Sequence, residues 1–242
     1  MKIKGATALV TGANRGLGFC FVEALAEFGA AKIYATARDI DTLDPLVKKH
    51  GGLVVPLALD VTEQVQVDAV AEAAQDVTLL LNNAGVLDGH SLLEAPNLSG
   101  FEGEMAVNVF GLARMCQAFA PIVEANGGGA IVNMLSVACL VQYPPNGTYT
   151  ATKAAAMSLT EVMKFELRDR GVEVFGIYAG WIDTEMAGHA AVDKASPHEV
   201  ARNTMLGIET GDSDIDATAG VAQTRTALRD DPEGFYINIV IQ

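Results

Sequence analysis

Tyr149 and Lys153 stand four residues apart in Tyr149-Thr150-Ala151-Thr152-Lys153. On a helix that spacing puts a phenol and an ammonium on the same side. A free tyrosine titrates near pH ~10, a poor match for proton transfer at neutral pH. A neighbouring cation stabilises the phenolate and lowers that value. Such a phenol can give a proton to a carbonyl oxygen as hydride reaches the carbon, or take one in the reverse direction. The pair alone proves little, because aromatic and charged residues often meet on surface helices. Its meaning depends on what else converges on it.

A second group of residues has the types needed to hold a phosphate. The first apolar run leads into Thr11-Gly12-Ala13-Asn14-Arg15-Gly16-Leu17-Gly18, followed by a helical pattern. Glycines permit a tight turn and let a ligand approach the backbone. The helix that follows offers unpaired N–H groups and a positive dipole end to an anion. The loop lies between a strand and a helix, the context in which a Gly-rich turn reads as nucleotide-binding. Its spacing differs from G-x-G-x-x-G and resembles the T-G-x-x-x-G-x-G loop of the short-chain dehydrogenase/reductase family.

The resemblance continues along the chain. The fourth apolar run ends in Asn82-Asn83-Ala84-Gly85, a later helix carries Val107-Asn108-Val109-Phe110-Gly111, and the fifth run ends in Asn133-Met134-Leu135-Ser136. All three match the family in order and location, and the similarity extends from Gly5 to about Thr210. It implies a catalytic tetrad. Tyr149 is the general acid/base, Ser136 positions the substrate oxygen, and Lys153 tunes Tyr149 and binds the nicotinamide ribose. Asn108 holds a water that links Lys153 to solvent. Taken singly, Ser136 also reads as a strand-end cap and Asn108 as a satisfier of backbone groups in a kinked helix.

The same resemblance assigns cofactor contacts. Gly12, Asn14, Arg15, Gly16, Leu17 and Gly18 cradle the phosphates, and Asn83, Ala84 and Gly85 line the dinucleotide. Asp60, with Val61 beside it, meets the adenine amino group, although Asp60 and Thr62 also read as caps of the helix that follows. Beyond the sixth run the family has Pro-Gly, whereas this chain has Ala179-Gly180-Trp181-Ile182-Asp183-Thr184. Gly180, Ile182 and Thr184 still match residues that orient the nicotinamide carboxamide. Losing the proline removes a fixed φ and loosens the turn.

The end of the second run bears on which dinucleotide is used. An acidic residue there accepts bonds from a free ribose 2′-hydroxyl and favours NAD. NAD-using family members often carry Asp at the position that is Ala37 here, and Arg38 follows. Arg15 and Arg38 together suit a 2′-phosphate through charge-assisted bonds, so NADP(H) is favoured and NAD(H) stays possible. Asp39 complicates this, since it either pairs with Arg38 or points to the ribose.

By the same resemblance, the pocket is walled by residues after Ser136, after Gly180 and around His90, which makes Ser136, Cys139, Leu140, Tyr143, Trp181 and Met186 the candidate substrate contacts. Most are apolar, which suits a hydrophobic or aromatic ketone, aldehyde or alcohol. The expected reaction is NADPH-dependent reversible reduction of such a carbonyl. An NAD-dependent secondary-alcohol dehydrogenase is the nearest alternative. A non-catalytic dinucleotide sensor on the same fold would not need the whole tetrad. A dehydratase or epimerase would need a longer substrate domain than the chain beyond Thr184 supplies.

Positioning these residues requires strand–helix alternation. Apolar runs at 6–10, 32–37, 53–59, 78–81, 130–135, 172–178 and 235–241 read as strands. Helices are expected at 17–28, 42–49, 63–74, 149–170, 199–209 and 217–228, with a long one at 99–125 kinked near Gly111. The strands are almost wholly apolar, as in a parallel sheet covered on both faces. The pattern predicts an α/β, Rossmann-like, doubly wound three-layer sheet, with ligands beyond the carboxyl ends of its strands. No linker divides the 242 residues, half of which are hydrophobic, so one domain over 1–242 is expected.

The 16 basic and 30 acidic residues give a net charge of −14, which disfavours nucleic acid and anionic membranes as partners. Three separated cysteines fit buried, reduced thiols, and four histidines without ligand spacing to them make a metal site improbable. The N-terminal apolar run is too short for a signal or a span. A soluble cytoplasmic protein acting on a small molecule is expected, as a homodimer or homotetramer by the family resemblance.

Overall fold

In the computed structural model, residues 1–188 and 190–235 are described. Seven parallel strands form one sheet in the order β3-β2-β1-β4-β5-β6-β7. They are β1 Thr7–Val10, β2 Lys32–Ala37, β3 Val54–Ala58, β4 Leu79–Asn82, β5 Gly129–Met134, β6 Val172–Tyr178 and β7 Asp214–Asp216. The order reverses between β1 and β4, which opens a crevice at their carboxyl ends. In β1, Ala8 and Val10 face one core while Leu9 faces the other, and Leu79, Leu81 and Leu80 divide the same way in β4. This period-two alternation between two buried faces explains why the strands are apolar throughout.

Helices α1 (Gly16–Glu27), α2 (Asp44–His50) and α7 (Pro197–Thr210) cover one face, with Phe21, Leu25, Leu46, Met205 and Ile208 in that core. Helices α3 (Gln64–Ala73), α5 (Leu112–Ala125), α6 (Gly147–Glu166) and α8 (Ala219–Asp230) contribute Val67, Met115, Phe119, Ala156 and Val221 to the other. α7 ends where Gly211, at φ +84°, lets two amides return to the Gly207 carbonyl. The long helix expected at 99–125 is continuous, but its kink takes the form of a π turn. α4 (Ser99–Met105) passes through the turn Ala106–Gly111 into α5. A Cβ at Gly111 would lie 2.6 Å from Val61 Cγ2, so glycine lets this turn press against the segment after β3. The Ser99–Ala125 run is long and apolar enough to cross a membrane, yet half of its most apolar window is buried within the protein.

One strand is added to those expected, and another expected strand falls almost wholly outside the described residues. The sequence reading missed β7, because Asp-Ile-Asp has poor strand propensity. Its pairing with Gly176–Tyr178 of β6 and the burial of Ile215 make it a strand. Of the strand expected at 235–241, residues 236–241 lie outside the described residues. Phe235 is helical, its amide bonding the Asp231 carbonyl.

Candidate active site

The carboxyl ends of the strands open onto one cavity of ≈ 1470 Å³. That exceeds the usual size of a single small-ligand pocket and has room for a dinucleotide beside a substrate. Gly12, Asn14, Arg15, Gly16, Leu17 and Gly18 line one end, with Arg38, Asp60, Val61, Asn83, Ala84 and Gly85. Ser136, Tyr143, Tyr149, Lys153, Gly180, Trp181, Ile182, Thr184 and Met186 line the rest.

The loop after β1 is shaped for close approach. A Cβ at Gly18 would fall 2.0 Å from the Gly12 carbonyl oxygen and 2.6 Å from Asn83 Nδ2. Gly12 and Gly16 adopt φ of +64° and +53°, a region that favours glycine. No side chain caps α1, and no acidic residue lies in its first turn, so the N–H groups and dipole there suit a phosphate. Thr11 Oγ1 accepts the amides of Asn83 and Ala84, while Asn83 Nδ2 donates to the carbonyls of Thr11 and Gly12. Asn83 therefore stitches the two loops at the switch point. These features fit a bound dinucleotide.

Around the end of β2 the roles sort themselves. Asp39 does not pair with Arg38; its carboxylate accepts the Asp41 amide at 3.1 Å and starts a 3₁₀ turn. Arg38 is exposed at the cavity. Arg15 forms an ion pair with Glu185, across the cavity on the loop after β6. Asp60 lines the cavity, but its Oδ1 accepts both the amide and the hydroxyl of Thr62, at 2.9 and 2.7 Å. The capping alternative is not realised, because Glu63 is the residue at which α3 is entered and no side chain caps it.

The catalytic candidates converge. α6 begins two residues before Tyr149, so Tyr149 and Lys153 share its first turns. Lys153 Nζ lies 5.6 Å from the centre of the Tyr149 ring and donates to the Met134 carbonyl at 2.8 Å. Contrary to the lowering expected from Lys153, burial pushes the Tyr149 phenol well above its ordinary range; the nearby Cys139 and Glu104 add to this, and the Ser136 hydroxyl opposes it. Burial also lowers Lys153 to about 8. Ser136 Oγ accepts the Ala138 amide, so its strand-end capping role exists alongside its place at the cavity. Asn108, in the π turn, accepts the Val86 amide and donates to the Val86 carbonyl and to Thr152 Oγ1. Its side chain serves that framework and does not itself bond Lys153.

Two substrate candidates are corrected. Cys139 and Leu140 are not among the cavity-lining residues. The 3₁₀ turn Val137–Cys139 turns Cys139 inward, where its thiol donates to the Lys153 carbonyl, and Leu140 packs on the core beneath α6. Val86, Leu87, Ala138, Val141, Pro144, Pro145, Asn146 and Val192 line the chamber instead. Apolar loop residues carry no periodic signal, so the sequence offered no way to single them out. All three cysteines are buried and free. Cys20, Glu23 and His198 do meet in space, their ligand atoms within 4.8 Å of one another, a grouping invisible in linear spacing; Glu23 there pairs with Lys49.

Comparison with known proteins agrees with this geometry. The family model for short chain dehydrogenases matches residues 6–195. A sorbitol dehydrogenase of Cereibacter sphaeroides is 36% identical over 190 residues, 76% of this chain and 73% of that protein. A short chain dehydrogenase from Burkholderia cenocepacia J2315, solved in complex with NADP, superposes with a TM-score of 0.94 at 37% identity over 99% of each chain. One from Burkholderia phymatum, solved with NAD, gives a TM-score of 0.87 at 28% identity over 96% of each. The chain therefore belongs to the short-chain dehydrogenase/reductase family and is an NAD(P)-dependent oxidoreductase.

Proposed function

We propose that this enzyme reversibly reduces a hydrophobic or aromatic ketone or aldehyde to the alcohol, with NADPH as the preferred cofactor. The observation that carries the reading is the chamber around Ser136 and Tyr149. Its walls are Val86, Leu87, Val137, Val141, Pro144, Trp181, Met186 and Val192, and its further polar side chains there are few, chiefly Asn146 and Tyr143. A polyol such as sorbitol carries a hydroxyl on every carbon, and most of these would be left unpaired against such walls. The nicotinamide supplies or accepts the hydride at the substrate carbon. Ser136 holds the substrate oxygen, and Tyr149 delivers the proton to it in reduction or removes it in oxidation. A substrate oxygen beside the phenol and the Lys153 ammonium brings both groups to bear on one proton. Lys153 stabilises the phenolate once Tyr149 has given its proton up, and Asn108 fixes the framework through which that proton is replaced.

Support for NADPH comes from the end of β2. Ala37 leaves the ribose site without an acid, Asp39 is committed to its turn, and Arg38 is exposed at the cavity. Arg38 is the principal partner for a 2′-phosphate, because Arg15 is shared with Glu185. Phe110, Val162 and Phe165 are exposed on the α5 and α6 side, which suits a homo-oligomer, and we place the enzyme in the cytoplasm as a single 1–242 domain.

The test is a pair of absorbance assays at the nicotinamide band, with NADPH and with NADH, against aryl ketones, aldehydes and polyols. NADPH turnover of apolar carbonyls is expected, and Tyr149→Phe should lower kcat by about 10²–10⁴-fold, the range for losing a general acid. Turnover of polyols alone would overturn the substrate reading, and a preference for NADH would overturn the cofactor reading. Full activity in Tyr149→Phe would overturn the mechanism.

A further inference from the structure

Three residues along the helix beside the cavity stand four apart, Gly100, Glu104 and Asn108, and all three serve the segment that follows β4. Asn108 Oδ1 accepts the Val86 amide and its Nδ2 donates to the Val86 carbonyl, both at 2.9 Å. Glu104 Oε1 accepts the Asp88 amide at 2.8 Å. A Cβ at Gly100 would lie 1.9 Å from Asp88 Oδ2, so the missing side chain makes room for the Asp88 carboxylate against the helix. β4 ends at Asn82, and its ladder with β5 ends there too. Beyond that point these side chains bond alternate residues, as a neighbouring strand would.

Glu104 is the unusual member. It is 1% exposed, and a buried carboxyl is costly unless its hydrogen bonds are needed. An apolar residue would fill the same space more cheaply but would leave the Asp88 N–H without its acceptor. On its other side the segment is tied to α6. His90 Nδ1 lies 2.7 Å from Asp88 Oδ2, and Thr148 Oγ1, one residue before Tyr149, donates to the His90 carbonyl at 3.3 Å. Val86, at the Asn108 attachment, and Leu87, between it and the Glu104 attachment at Asp88, line the cavity that Tyr149 also lines.

We propose that Glu104 is a positioning residue: by pinning the Asp88 amide it sets the wall that Val86 and Leu87 present to the substrate. This rests on the carbonyl-reductase reading for its kinetic consequence, though not for its structural one. Glu104→Leu keeps the bulk and loses the acceptor, whereas Glu104→Gln keeps an acceptor oxygen. Hydrogen exchange at the Asp88 amide, with NADPH bound, should be about tenfold faster or more in the Leu variant and near wild type in the Gln variant. With an aryl ketone, KM should rise about tenfold in the Leu variant while kcat changes less than about threefold, and Gln should restore KM. NADPH affinity should be unchanged in both. Should the Leu variant fail to fold, Gly100→Ala displaces the Asp88 carboxylate with Glu104 intact and should raise KM in the same way. Equal exchange at Asp88 in wild type and Glu104→Leu would overturn the proposal. So would a Gln variant as impaired in KM as the Leu variant. If wild type turns over no carbonyl, the reductase reading fails while the exchange arm still decides the clamp.

Discussion

The two ends of the cavity are built on different principles. The dinucleotide end is made of backbone: Gly12, Gly16 and Gly18 are there for what they lack, and Thr11 and Asn83 tie their turn to the next loop. The substrate end is made of side chains on loops, with Val86, Leu87, Val141, Pro144, Trp181 and Val192 closing around Ser136 and Tyr149. A backbone cradle tolerates little substitution: a Cβ at Gly18 meets a main-chain carbonyl, and Gly12 and Gly16 hold a φ that favours glycine. A side-chain wall accepts many residues of similar volume and sets selectivity through small differences. On the proposed reading, dinucleotide binding thus rests on the first kind of construction, and substrate choice on the second.

Substitutions at the two ends should separate them. The largest effect is expected from Gly18→Ala, whose methyl would sit 2.0 Å from the Gly12 carbonyl oxygen. Displacing that carbonyl moves the phosphate turn, so affinity for NADPH and NADH, read by titration of nicotinamide fluorescence, should fall together by about 100-fold or more. Affinity retained within a few-fold would show that the cradle is softer than its geometry indicates. Next comes Arg38→Leu, which removes one charge-assisted bond. Its NADPH Kd should rise by about 10–100-fold, the worth of ~1.5–3 kcal/mol, with NADH affinity unchanged. Equal losses for both dinucleotides would mean that Arg38 does not read the 2′-phosphate. The smallest effect is at Cys139, which sits under the wall rather than in it. In Cys139→Ala, the KM for an aryl ketone should stay within about twofold, while thermal unfolding reports a loss of about 1–3 kcal/mol for the cavity left by the buried thiol. A KM change without a stability change would return Cys139 to the substrate surface.

The difference between the ends also explains what could be read in advance. A Gly-rich loop, a Tyr/Lys pair at i,i+4 and a serine at a strand end carry little singly, and they are legible because they fall together in the order of one family's motifs. The family resemblance puts Cys139 and Leu140 in the pocket wall only by their place after Ser136. The 3₁₀ turn at Val137–Cys139 reverses the direction in which Cys139 points. The kink near Gly111 was legible, yet its form as a π turn was not, since that depends on how closely the turn packs against Val61. Strand β7 escaped notice because its pairing with β6, rather than any local propensity, makes it a strand.

By itself the sequence determined the α/β class, and it carried the glycine-rich loop and the Tyr149/Lys153 pair on which the proposed function rests, because apolar periodicity and motif spacing are local properties of the chain. Only the tertiary structure decided that Arg15 is shared with Glu185, that Asp39 is committed to its own turn, and that Glu104 and Asn108 complete the edge left by β4. Each of these joins residues distant in sequence or depends on the direction a side chain takes, and both are set by how the layers pack.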